Sequence, residues 1–560
     1  MPKTRPWDYL TITAANDQQA RAYELQLQQR ERADHLERVR TRLVVPDIDG
    51  RRIGSGGSTL HCLARVLDRE CSGDGAGSFE EAEAVLSELR ILIVHAGGDS
   101  RRLPPYSHCG KMFVPLPDKV SSATATTLFD RLIPTFLDLP EARAGQVVVA
   151  SGDALVLFDP RIVDLSQPGV TALGSWSPAQ EASQHGVFCS GDDGSVTRYL
   201  QKPSQEAQLR AGAVSESGNA MLDLGVMSFD APAAVQLMRA FFTRASRPDG
   251  KLGLTWTREA HDVLVSGGID LYREICCAFG TDTNVSHYID SLTGVGSNLD
   301  RAVLAEWFQS LHQIPLHVRV LPDCKFLHFG TTRQLVTSGR ELLAEDSGDP
   351  DRTTLVLNTE IQGDLIGNHA WVEGCSIGAS MVLEGLNVVV GADVSKPLTL
   401  PRGACFDICK GTSRGGGAVW FLRCYGIDDS FKHSVEAGGT LCGIPLGRWL
   451  EEMGGSASDI WSPEVLPLER TLWNARVFPA LQDCRHFGDW LWLFHARSAT
   501  AEQKYRFWAA ERYSSAEIAV RVDQLQFQAR RSAMHSIGMR HRPGPAMPPR
   551  QPAGRINRAN

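Results

Sequence analysis

The sequence predicts an α/β fold: a Rossmann-like domain over residues 1–345, a parallel β-helix-like domain over 346–440, and a mainly helical part over 441–538. Three observations lead there. The apolar run Ile91 to Val94 breaks directly into Gly97-Gly98, as a buried strand does when it feeds a ligand-binding loop. A second run, VVVASGD from Val147 to Asp153, ends on an acid in the same way. Further on, Leu355, Ile361, Ile366, Val372, Ile377, Leu383 and Val389 recur five or six residues apart beside Gly367, Gly378 and Gly391. Short β repeats of about six residues mark a parallel β-helix.

Taken in order, WDYLTIT reads as a strand. The stretch from Ala15 to Leu43, rich in helix formers and without Gly or Pro, reads as one long helix capped by Asn16 or Asp17. In IGSGGST, Gly54, Gly56 and Gly57 lead into an amphipathic run. Such a turn can present free N–H groups and the positive end of a helix dipole to an anion, or can be a plain turn with Ser58 or Thr59 as N-cap. After the Ile91–Val94 strand, Gly97, Gly98, Ser100, Arg101, Arg102 and Lys111 suit phosphate. Glycines admit backbone N–H groups, arginine forks match phosphate oxygens, and lysine adds a compact charge. TLFDRLIPTFLDL is a helix and VVVASGDALVLF a strand ending at Gly152-Asp153. An acid at the carboxyl end of a parallel strand lies where open α/β sheets bind ligands, so Asp153 is expected to hold Mg²⁺, which prefers one or two carboxylates plus phosphate oxygens. HGVFCSGDDGSVTRYLQKPS is a hairpin turning at Asp192-Asp193-Gly194 and closing on Lys202-Pro203. LDLGVMSF is a strand, and residues 397–440 hold further strands with a turn at Gly415 to Gly417. Trp449, Trp461 and Trp473 read as core aromatics, and helical segments follow to about Ser536. The final stretch, 539–560, is basic and Pro-rich and is expected to be disordered.

A length of 560 residues suggests about three or four units. A formal net charge of −8 argues against a nucleic-acid or acidic-membrane surface role. The 13 cysteines are scattered without zinc spacing, as expected of small buried residues in a reducing compartment. The opening MPKTRPWDYL does not resemble a signal peptide and no apolar run is long enough to span a bilayer, so a cytoplasmic location is expected.

The stretch RILIVHAGGDSRRLPPYSHCGKMFVPLP (Arg90 to Pro117) resembles the signature loop of the sugar nucleotidyltransferases, a Gly-Gly followed by Thr-Arg-Leu and later Pro-Lys. Arg102-Leu103 takes the Arg-Leu place and Lys111 the lysine place. Within that superfamily, HAGGDSRRLP with GKMFVPLP looks most like the fucose-1-phosphate guanylyltransferases and the matching domain of bifunctional fucokinase/guanylyltransferase proteins. WDYL, GSGGST, TLCGIPLGRWLEEMG and DIWSPEVLPLERTLWNARVFP extend the likeness to about Pro479. The resemblance implies a GT-A-like domain that makes GDP-L-fucose and pyrophosphate from GTP and L-fucose 1-phosphate. Arg102, Lys111 and Arg101 would stabilise the triphosphate and leaving pyrophosphate. Gly97, Gly98, Ser100, Gly54, Gly56 and Gly57 would line the nucleotide. Lys202, in the Glu-Lys-Pro place but preceded here by Gln201, would hold the acceptor phosphate. The β-helix would give support and a homo-oligomer contact. In KFLHFGTTRQL, where many bacterial relatives carry an aspartate as second metal ligand, this chain has His328. Neutral imidazole is a poor Mg²⁺ ligand. Either Asp153 holds the metal with phosphates and water, or Asp223 or Asp290 helps, and His328 falls to the substrate side. Bifunctional relatives continue into a sugar-kinase domain that this chain lacks, so no fucokinase activity is expected. Two rival readings are the same chemistry on another sugar or nucleotide, and a non-catalytic nucleotide-sugar-binding regulatory protein.

Overall fold

The computed structural model describes residues 5–33, 35–71, 75–117, 124–142, 145–246, 250–347 and 353–540, so nearly all of the expected tail lies outside the described residues. Its first strand, β1 (Trp7–Ala14), is buried along its whole length, as a strand covered on both faces of a parallel sheet must be. Helix α1 (Asp17–Arg32) follows, with Asn16 as N-cap accepting from the Gln19 N–H. The chain then leaves helix and forms β2 (Val39–Pro46), parallel to β1. The one long helix expected up to Leu43 is therefore two elements. Val39, Thr41, Val44 and Val45 are β-branched, and pairing with β1 outweighs the helix propensity of the charged residues between them.

Helix α2 (Gly54–Glu70) leads to β3 (Arg90–His95), and then come β4 (Gln146–Ser151), β5 (Ala154–Leu157), β6 (Val170–Pro178), β7 (Gly186–Ser190), β8 (Val196–Gln201) and β9 (Asn219–Phe229). A hairpin of β10 (Phe242–Ser246) and β11 (Leu252–Trp256) precedes β12 (Leu316–Val320) and β13 (Lys325–His328). The main sheet has nine strands, and its spine runs β12-β6-β9-β4-β3-β1-β2. All spine pairings are parallel except those of β9, which is antiparallel to β4 and β6. Period-two alternation divides the core. Ile91 and Ile93 of β3 join the cluster under α2, while Leu92 and Val94 join the one under α1 and the helix Leu128–Leu137.

From Thr354 the chain visits three parallel stacks in turn. Thr354 pairs with Ala370 and Ala370 with Asn387, so one circuit takes 16 or 17 residues. Of the seven recurrent apolar residues, Leu355, Val372, Ile377, Leu383 and Val389 are buried, whereas Ile361 and Ile366 face outward at 45% and 55% exposure. A circuit shorter than three repeats of six shifts which positions point inward. The first stack continues through the antiparallel strands Ala404–Thr412 and Ala418–Gly426 and on into Phe478–Leu481 and Arg512–Tyr513. The C-terminal part thus contributes strands as well as the 3₁₀ run Cys484–Ser498 and the helices Ala501–Ala509 and Gln524–Arg540. Trp449, Trp461 and Trp473 are buried, and so are nine of the 13 cysteines. No helix among the described residues is long and apolar enough to cross a membrane.

Candidate active site

The carboxyl ends of β1, β3 and β4 converge on one loop. Thr13 Oγ1 at the end of β1 accepts from the N–H groups of both Ala96 and Gly97, each at 3.1 Å, and so fixes how the chain leaves β3. Gln19 on α1 donates to Gly98 O at 3.1 Å and Tyr23 donates to Ala96 O at 2.7 Å. Gly98 and Ser100 both have positive φ, at 96° and 50°, which glycine adopts freely and Ser100 at a local cost, and the Arg101 and Arg102 that follow are exposed. Arg101 pairs with Asp99 at 2.6 Å and lies over the Trp473 ring, while the exposed Arg102 has its carbonyl held by the Thr332 N–H at 3.0 Å. Gly110, next to Lys111, is required on two counts: φ is 76°, and a Cβ there would lie 2.0 Å from the Tyr23 hydroxyl.

Lys111 Nζ donates to Asp153 Oδ2 at 3.0 Å, and Ser151 Oγ donates to Asp153 Oδ1 at 2.9 Å. Burial raises the Asp153 pKa, but the charge of Lys111, the neighbouring His328 and these hydrogen bonds outweigh it and hold the carboxyl well below the usual carboxylate range. Strand β13 lies antiparallel to β5 with His328 opposite Ala154, which brings His328 Nε2 to 4.0 Å from Asp153 Oδ2. Burial lowers the His328 pKa against the pull of Asp153, and Lys111, Arg102 and Lys202 add to the lowering, so the ring is neutral at pH 7. On the same side, the His185 ring packs edge-on against Phe326 and stands 6.4 Å from the His328 ring. Lys202 follows β8 with φ at 48°, its N–H bonded to His185 O and its side chain exposed.

Two expected roles change. The N–H groups of Gly56 and Gly57 donate to Ile269 O, so they are not free for an anion. Close approach explains the glycines instead, since a Cβ on Gly54 would lie 2.3 Å from Ile269 O and one on Gly56 2.7 Å from Ile275. Neither Ser58 nor Thr59 is the N-cap, because α2 already begins at Gly54. Ser58 donates to Asp47, and Thr59 meets His95 Nε2 at 2.8 Å. Asp223 is buried, takes hydrogen bonds from Tyr199 and Gly225, and is pushed up to about 6 by burial; Asp290 is exposed and pairs with Arg301. Among the described residues no cluster of three or more His, Cys, Asp or Glu stands ready for a metal. Asp153 alone suits an ion that takes its other oxygens from phosphates and water, which is the habit of Mg²⁺. The fold also brings in residues without a local sequence signal. These are Ser151, His185, Arg52 and Lys432, the last within electrostatic reach of Arg102, Arg52, Lys202 and Arg101.

Residues 83–483 match the family model described as the fucose pyrophosphorylase domain. The chain is 26% identical to a bifunctional fucokinase/GDP-fucose pyrophosphorylase of Arabidopsis thaliana, covering 91% of this chain and 50% of that one. It is 24% identical to an L-fucokinase/L-fucose-1-P guanylyltransferase of Bacteroides fragilis, covering 86% and 47%. To the fucose-1-phosphate guanylyltransferase of Homo sapiens it is 26% identical, covering 84% and 81%. The chain spans about half the length of the two bifunctional relatives. With a match that takes in the signature loop, Asp153, Lys202, His328 and the stacked strands, the chain belongs to the fucose pyrophosphorylase family.

Proposed function

We propose that this chain is a cytoplasmic sugar-1-phosphate nucleotidyltransferase that forms GDP-L-fucose and pyrophosphate from GTP and L-fucose 1-phosphate. The observation that carries the reading is the Lys111–Asp153 pair at the mouth of the parallel sheet, next to His328, on which the exposed Arg102 and Lys202 also act. A sugar phosphate is already ionised at neutral pH, so no general base is needed and charge stabilisation with alignment supplies the catalysis. A phosphate oxygen of the sugar phosphate attacks the α-phosphorus in line, and the bond from that phosphorus to the bridging oxygen breaks, releasing pyrophosphate. Arg102, Lys111 and Arg101 meet the charge of the triphosphate and leaving group. Gly97, Gly98 and Ser100 shape the loop that faces it. Lys202 holds the acceptor phosphate, and neutral His328 lies beside it as a sugar-side contact. When bound, Mg²⁺ would be held by Asp153 and would neutralise phosphate oxygens. The accompanying fold reading is a GT-A-like domain followed by a parallel β-helix, which the strand order and the three stacks support. The outward Ile361 and Ile366 on those stacks are where a second copy would dock.

A panel of four NTPs against several sugar 1-phosphates, scored by pyrophosphate release with Mg²⁺, tests this. GTP with L-fucose 1-phosphate is expected to give the highest rate. Lys111→Ala and Asp153→Ala should each lower it by about 100-fold or more with the thermal midpoint little changed. A different preferred pair would redirect the substrate assignment. GTP binding without pyrophosphate release from any acceptor would replace the catalytic reading with a regulatory one.

A further inference from the structure

Lys432 lies within electrostatic reach of Arg102, Arg52 and Lys202, and none of these four cations has an ion-pair partner within 4 Å among the described residues. Three come from the sheet domain. Lys432 comes from the segment after Ala418–Gly426, in a part of the chain far removed from the signature loop in sequence. Its position is built rather than incidental. Arg333 holds Asp428 through two hydrogen bonds, Nε to Oδ1 at 2.6 Å and Nη2 to Oδ2 at 2.5 Å. Arg333 is next to Thr332, whose N–H carries the Arg102 carbonyl. Asp429 then takes hydrogen bonds from Gly426 N, Thr440 Oγ1, Cys442 N and Gly443 N, which pins the turn. Phe431 is fully buried between Tyr425 and Phe478, so the residue just before Lys432 is anchored while the lysine itself remains exposed.

We propose that Lys432 is a substrate-binding residue, supplied by the C-terminal part, that contacts the triphosphate and the pyrophosphate released from it. The proposal rests on the nucleotidyltransferase reading above. Cations assembled without counter-charges repel one another, and a polyanion that fits among them recovers that energy. The Lys432 ammonium is indeed disfavoured, first by partial burial and then by Arg102, Arg52, Lys202 and Arg101. Through Asp428, Arg333 and Thr332 the turn that carries Lys432 is tied to the backbone of Arg102, so the contact is with the triphosphate rather than with the acceptor.

Lys432→Met keeps the apolar stem and removes the charge, and Lys432→Arg keeps the charge. In steady-state assays of the full chain, Lys432→Met should raise KM for GTP about tenfold and weaken product inhibition by pyrophosphate about as much, with KM for L-fucose 1-phosphate unchanged. Lys432→Arg should restore most of both. If wild type turns over and Lys432→Met matches it in GTP KM and pyrophosphate inhibition, or shifts only the acceptor KM, this inference fails while the function stands. If wild type releases no pyrophosphate, the function fails, and calorimetric titration of inorganic pyrophosphate into wild type and Lys432→Met still decides: equal affinities overturn the role of Lys432 and a weaker variant supports it.

Discussion

His95 closes β3 with its imidazole against Thr59, and burial pushes its pKa down to about 4. The unfolded chain, with an ordinary value near 6.5, therefore binds a proton that the folded chain refuses. This stability is fully present above about pH 6.5 and is lost as the pH falls towards 4. His95→Gln has no such titration. In thermal melts across that range, the variant should gain on wild type as pH decreases, and a pH-independent difference would overturn the assignment. At this scale the sequence was most legible where chemistry is local. Lys111 and Asp153 stand in two short motifs, and the structure brings them into one ion pair beside the loop of Arg102. Lys432 and Arg52 sit in unremarkable neighbours' company, and only long-range packing brings them within electrostatic reach of each other. Gly56 shows the opposite failure: a glycine turn before a helix has one sequence signature for binding an anion and for admitting another backbone, and here Ile269 occupies it.

The helix Gln524–Arg540 shows what an element adds. Its Arg531 is buried, donates to Glu373 at 3.0 Å on the stacked strands, and donates to Phe113 O at 3.0 Å, two residues past Lys111. Gln524 donates to His108 O on the same segment at 2.9 Å, and Tyr106 takes the Trp371 indole N–H at 2.8 Å. The loop that carries Lys111 is thus braced from behind by the helix Gln524–Arg540 and the first stack. Removing one partner of a buried pair leaves an uncompensated charge, so Arg531→Met should cost about 3–5 kcal/mol. Replacing Glu373 by an apolar residue of similar size in the same chain should return much of that loss. Denaturant titration measures both, and a cost near zero for the single variant would remove the brace from the account. That this stretch is helical could be read from composition, but its docking could not, because no local pattern in residues 524–540 names Phe113 or Glu373.

Over the whole molecule, one buried apolar cluster extends from Leu103 and Tyr106 after the signature loop, through the stacked strands, to Tyr513 and Phe527 near the C-terminus. The boundaries placed at 345 and 440 divide stretches of sequence but not cores. Calorimetry should accordingly show one dominant unfolding transition, and two well-separated ones would mean that the shared cluster couples its parts weakly. The alternation of Ile91 to Val94 and the five-or-six-residue rhythm after Leu355 made both kinds of sheet readable. The misreading of β2 as helix came from its arginines, which favour helix in isolation. In the folded chain they have another effect. β2 ends the nine-stranded sheet, so one side of its backbone meets no further strand among the described residues. Arg40 reaches Glu70 from it and Arg42 reaches Glu31, which sets charge along a border where another chain's strand would otherwise add itself, and Pro46 withholds a donor at its end. The residues that disguised the strand are those that keep it from seeding aggregates.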